Sequence, residues 1–249
     1  MLLLGDGRLG TMMQAMGTCD PHFQNTKYDV NLLMFETLFI DQWEYQIKGF
    51  LEKNPETSII IIAATVNDII KKVNNLSNNI PYTQAVLDEN FEPGNHLQKF
   101  KGIQKRILLK FPGKVFALVG PSIVSVNDYN KSQWELLFPS IPFTMQYTNI
   151  KMKLQASINT QVECWRQLAI NDREIILLDF TLNFVGPRKQ TSADQYFTNG
   201  RIYKTFFLEN GWNLSHSGAR SLWKCIFHKL SLVERGLQLK EWRDVIELY

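Results

Sequence analysis

Four short, continuous apolar runs constrain this chain more than anything else in it. They are Leu2-Leu3-Leu4, Ser58 to Ala63, Lys114 to Val119, and Glu174 to Leu178. None alternates with polar residues, as a strand exposed on one face would. Strands buried on both faces read this way, and they occur in parallel sheets covered by helices. Helical patterns lie between the runs, at Asp41 to Glu52, His96 to Phe111, Asn149 to Leu168 and Ser217 to Leu230. Val30 to Phe35 is a weaker fifth strand. Strand and helix alternate, which predicts an α/β three-layer αβα sandwich on a parallel sheet. At 249 residues the chain is long enough for one large domain with a full core. No internal boundary shows, so residues 1–249 read as a single domain. The first run begins at Leu2, so the domain is expected to be cut from a longer protein.

Three stretches read as long connections: Asn74 to Gly94, with room for one short helix, Gly120 to Pro142, and Asn183 to Asn210. No run approaches the roughly 18 apolar residues of a membrane span, and no leader pattern opens the chain. Cys19, Cys164 and Cys225 are scattered and odd in number, which predicts a reducing, cytoplasmic setting. The four histidines show no metal spacing. No metal and no cofactor is expected.

Gly5-Asp6-Gly7-Arg8-Leu9-Gly10 fits G-x-G-x-x-G after a strand. That pattern can place a phosphate on a helix N-terminus, as in a dinucleotide or S-adenosylmethionine site. Such a site also wants an acid closing the second strand. Asp29 and Glu36 are available, but neither ends a convincing strand. The alternative is a tight glycine-rich turn. Farther on, Thr65-Val66-Asn67-Asp68 closes the second strong strand. Asn67 there could donate to a developing oxyanion, or Asn67 or Asp68 could cap the next helix.

The last motif is Asn210-Gly211-Trp212-Asn213-Leu214-Ser215-His216-Ser217-Gly218. Together with Leu4-Gly5-Asp6-Gly7 and Thr65-Val66-Asn67-Asp68, it resembles the blocks of the SGNH, or GDSL-type, hydrolases in order and spacing. The resemblance implies a flavodoxin-like, five-stranded parallel sheet with its site at the carboxyl ends of the strands. It implies a serine nucleophile, a histidine base and an orienting aspartate. Here those positions hold Gly7, Asn213 and Asn210, and only Asn67 survives from the catalytic set. The second-block glycine has no counterpart near Leu33 to Leu38. The expectation is a vestigial site (Gly7, Asn67, Asn210, Asn213) on a domain that is not an enzyme. Alternatives are an ester hydrolase with a relocated site, Ser122 being the best displaced hydroxyl, or a decayed retrotransposon-encoded esterase domain. Glu209 and His216 lie close to the changed positions. His22, His96 and His228 stand alone.

Net charge is only +3, but it is unevenly spread. Lys99, Lys101, Lys105, Arg106, Lys110 and Lys114 fall in a stretch with no acid. On a helix, Leu97, Phe100, Ile103, Ile107 and Phe111 share the buried face and the cations flank it. Arg188, Lys189, Arg201 and Lys204 are interleaved with Tyr196, Phe197, Tyr203 and Phe206, and Arg220, Lys224 and Lys229 follow. Such a surface could hold single-stranded RNA by phosphate contacts and stacking, or it could simply be solvated. The Gly5-Asp6-Gly7 block and the last block with Asn210 and Asn213 are similar to a degenerate branch of the family, in insect germ-plasm organisers, and that resemblance implies messenger-RNA binding. The expected partner is therefore RNA, with protein partners in a ribonucleoprotein and no membrane.

Overall fold

The chain is described by a computed structural model that covers residues 1–24, 27–77, 79–121, 124–143, 148–179, 208, 210 and 212–234. The main sheet has five strands: β1 (Leu2–Asp6), β2 (Asn31–Phe35), β3 (Ile59–Ala63), β6 (Val115–Val119) and β7 (Ile176–Leu178). Their order is β2-β1-β3-β6-β7 and every pairing is parallel. The chain leaves β1 in one direction to form β2, then returns past it to form β3. Reversals of this kind open a crevice at the carboxyl ends of the central strands.

Both faces of the sheet are covered, which explains the unbroken apolar runs. Leu3, Ile61, Ala117 and Leu178 pack on one side, against Met12 of α1 (Gly10–Gly17) and Trp223 and Ile226 of α7 (His216–Glu234). Leu2, Leu4, Ile60, Ile62 and Phe116 pack on the other. There they meet Trp43 and Ile47 of α2 (Ile40–Lys53), Phe100 and Ile107 of α4 (Pro93–Lys110), and Trp165 of α6 (Thr148–Asn171). The fifth strand is present as β2. It lies at the sheet edge and is only partly buried throughout, hence its weak apolar signal.

Two of the three expected connections carry more structure than their composition suggests. Asn74 to Gly94 is not a polar loop. After a single helical turn α3 (Val66–Ile69), the chain forms an antiparallel hairpin of β4 (Ile70–Ser77) and β5 (Ile80–Leu87), and α4 then begins at Pro93. An exposed hairpin needs no continuous apolar run, so its sequence reads as polar. Within Gly120 to Pro142 lies α5 (Val126–Leu137), whose first turn is capped by Ser125 accepting from the Asp128 N–H. No helix among the described residues is long and apolar enough to cross a membrane.

Candidate functional site

β1 ends on Asp6, which is 1% exposed, and the chain turns at once through a 3₁₀ segment, Gly7–Leu9. The Gly7 N–H donates to the Glu36 carbonyl at 3.3 Å, and a Cβ at position 7 would sit 3.1 Å from that oxygen. The turn is therefore tight against the exit of β2, with little room for a side chain. Glu36 directly follows β2, so the acid sought for a nucleotide site does close the second strand after all. The turn itself is filled from within. Arg8 is 5% exposed and folds back on Asp6, with Nε–Oδ1 at 2.8 Å and Nη2–Oδ2 at 2.9 Å.

Asn67 extends this cluster. Its Nδ2 donates to Asp6 Oδ2 at 3.1 Å, which ties α3 to the end of β1. It does not cap its own helix. Asp68 instead accepts the Ile40 N–H at 3.0 Å, at the start of α2. Asn210 makes an Asx turn, its Oδ1 accepting from the N–H groups of Trp212 and Asn213 at 3.0 and 3.1 Å. Leu214 then joins that turn to the first one. Its N–H points at Arg8 O at 3.5 Å, and its carbonyl accepts from Thr11 Oγ1 at 2.7 Å. Ser215 accepts from the Gly218 N–H and opens α7. The turns bearing Gly7, Asn67, Asn210 and Asn213 thus converge at the carboxyl edge.

Lys72, the third residue of β4, is a site residue that sequence reasoning passed over. Its Nζ lies 4.8 Å from the Trp212 ring centre and 5.2 Å from that of Tyr129. Lys72 is exposed as a residue, but burial around its ammonium pushes its pKa below the ordinary lysine value, while Glu36 and Asp6 pull it up and Arg8 pushes it further down. Burial raises the Tyr129 hydroxyl. No sequence pattern marks Lys72, because its importance comes from a hairpin that reads as a loop.

The basic helix has close partners. Lys99 meets Asp41 at 3.2 Å, Arg106 meets Glu44 at 2.7 Å, and Lys110 meets Glu52 at 2.5 Å, all from α4 to α2. Lys101 meets Asp172 and Glu174 at 2.9 and 3.3 Å. Four of the expected RNA-contacting cations are therefore compensated locally. Lys105 and the exposed Lys224 have no ion pair among the described residues. Arg188, Lys189, Arg201 and Lys204, their interleaved aromatics, Ser122 and Glu209 lie outside the described residues.

The α4–α2 ion pairs have a pH signature. Arg106 and Lys48 hold Glu44 down from the usual 4.5 to about 2. A depressed carboxylate stabilises the fold above its unfolded pKa, and that support is lost as pH falls from 4.5 toward 2. Chemical denaturation should show a wild-type loss in that window that Glu44→Gln lacks. The loss should shrink at 1 M salt, where screening acts within roughly 3 Å.

Elsewhere, His216 Nε2 lies 2.8 Å from Asp20 Oδ2 on the surface. His96 is buried between Asp68 and Trp165. Among the described residues no group of His, Cys, Asp and Glu could hold a metal ion.

No family model matches the sequence, and no curated protein matches it. Solved structures do. A protein from Streptococcus pneumonia, provisionally described as a platelet activating factor, is similar at 13% identity over 92% of this chain and 82% of its own, with a TM-score of 0.49. TesA is similar at 10% identity over 92% and 98%, with a TM-score of 0.41. A lipase/acylhydrolase from Enterococcus faecalis is similar at 13% over 94% and 95%, with a TM-score of 0.45. These findings correct the expectation that the chain is not an enzyme. Changes at three family positions do not preclude a site built from other groups. The parallel sheet, in the order β2-β1-β3-β6-β7 with helices on both faces, is the five-stranded α/β architecture that the resemblance to the SGNH hydrolases implies.

Proposed function

We propose that this chain hydrolyses carboxylic esters at the carboxyl edge of its sheet, with Lys72 as the base. One observation carries the reading: the Lys72 ammonium is held beside the Trp212 and Tyr129 rings at the edge where the three family-like blocks meet. A lysine whose pKa is lowered by burial has more neutral amine near neutrality than a free one. That amine takes a proton from water as the oxygen attacks the ester carbonyl. The tetrahedral adduct then expels the alkoxide, which recovers the proton. No side chain at position 7 is required.

The test is hydrolysis of a short-chain p-nitrophenyl ester by the full chain. The rate should rise with pH to a midpoint below the ordinary lysine value. Lys72→Met should cut kcat/KM by about 10²-fold and flatten that profile. Absence of turnover above the blank, or turnover indifferent to Lys72→Met, overturns the reading. Loss on Ser122→Ala instead would move the chemistry to that hydroxyl.

RNA binding is a second reading, favoured by Lys105 and Lys224, whose charges have no ion-pair partner among the described residues. The basic and aromatic stretch from Arg188 to Phe206 would supply the remaining contacts. Fluorescence anisotropy with a single-stranded RNA should show binding that weakens steeply with salt. Charge reversal at Lys105 and Lys224, or at Arg188 and Lys189, should weaken it across sequences. Salt-insensitive or absent binding rejects this reading.

A further inference from the structure

The two edges of the β4–β5 hairpin are treated differently. Ala85 of β5 gives its N–H to Asn130 Oδ1 at 2.7 Å and accepts from Asn130 Nδ2 at 3.0 Å. Both backbone polar groups of Ala85 therefore point away from β4. Ala85 is paired with Lys72, so this is a non-hydrogen-bonded pair of the antiparallel ladder. The backbone of Lys72 points outward as well. With a period of two, Asn74 and Leu76 follow it on β4, and Thr83 and Pro81 follow Ala85 on β5.

The β5 edge is closed. Asn130 saturates it at Ala85, and Pro81 has no N–H at an outward position, where a strand proline is tolerated. The β4 edge has neither device. The backbone groups of Lys72, Asn74 and Leu76 find no hydrogen-bond partner among the described residues, and Leu76 is 73% exposed. The only charges on β4, Lys71 and Lys72, sit at its start, and from Val73 to Gln84 there is no charged residue to repel an incoming strand. An open edge that is uncharged from Val73 onward is a template for pairing.

We infer that a second copy of this chain docks here, β4 against β4, antiparallel about a twofold axis at Asn74. The strand is self-complementary in that register. Lys72 faces the partner's Leu76, Lys71 faces the partner's Ser77, and Asn74 faces the partner's Asn74, so no lysine opposes a lysine. The three outward residues of each copy then face one another as hydrogen-bonded pairs, giving about six backbone bonds. The interface is isologous and closes on itself. It converts two marginal two-stranded hairpins into one four-stranded sheet.

Sedimentation velocity of the full chain over a dilution series should show a dimer that dissociates. Asn74→Lys alone and Asn74→Asp alone should each lose the dimer, because like charges then meet across the axis. Mixing the two variants should restore it as a heterodimer. Circular dichroism serves as the control for folding, since Asn74 is exposed. A wild-type chain that stays monomeric, single variants that still dimerise, or a mixture that does not would each overturn the inference.

Discussion

Asp6→Ala is expected to destabilise the fold by about 3–5 kcal/mol, the cost of leaving a buried charge without its counter-ion. Asp6 accepts from the Arg8 backbone N–H, from Arg8 Nε and Nη2, and from Asn67 Nδ2. Removal leaves a guanidinium, 5% exposed, facing no carboxylate, and an amide with no acceptor. In a chain of this size the melting temperature should fall by roughly 10 °C. The double variant Asp6→Ala, Arg8→Met should recover most of that loss, because it removes the stranded charge as well. Urea unfolding followed by circular dichroism reads both effects, with the slope unchanged if only stability moves. A loss for Asp6→Ala below about 1 kcal/mol would mean that water reaches Arg8, as at an exposed pair. The Asp6 carboxylate would then be available to a ligand.

The same cluster shows how far the sequence can be read. Asp6 and Asn67 stand out in sequence because they sit in blocks with a recognisable spacing. Arg8 does not, since it lies inside a glycine motif read for its small residues. Its burial follows from the sharp turn that brings its guanidinium back over the strand end. The strands divide in the same way. β1, β3, β6 and β7 are legible because both their faces are buried, and β2 is weaker because it is an edge. The β4–β5 hairpin went unread because its strands are polar and Asn79 before β5 is a weak turn signal. Asn79 has a φ of +61°, which asparagine adopts more readily than most residues. Lys72 was missed along with it.

Charge was legible as composition but not as pairing. The apolar face of α4 follows the predicted spacing, with Leu97, Phe100, Ile103 and Ile107 buried. The cations flanking it looked unopposed because their acids lie far away in the chain, at Asp41, Glu44 and Glu52. A local charge count cannot see a partner helix. What remains as candidate RNA surface is therefore smaller than the sequence suggested, and most of it falls in 188–204.

The second large effect lies behind the sheet. Trp165→Ala should cost about 3–5 kcal/mol, the range for emptying a buried aromatic site. Trp165 is fully buried on α6 and gives its Nε1–H to His96 Nδ1 at 3.1 Å. His96 Nδ1 must then be the acceptor, so a neutral His96 carries its hydrogen on Nε2, toward Asp68 Oδ2 at 3.2 Å. Asp68 in turn accepts the Ile40 N–H at the start of α2. One indole thus fills volume and sets the direction of a hydrogen-bonded chain linking α6, α4, α3 and α2. Trp165→Phe separates the two contributions. It keeps most of the ring but strands the acceptor on His96, so it should cost about 1–3 kcal/mol. Nitrogen chemical shifts of the His96 ring should report the Nε2–H tautomer in the wild type and a mixture in Trp165→Phe. If Trp165→Phe costs as much as Trp165→Ala, the bond rather than the volume holds this side of the core. If it costs nothing and the tautomer stays fixed, Asp68 alone orients His96 and the indole is only filling.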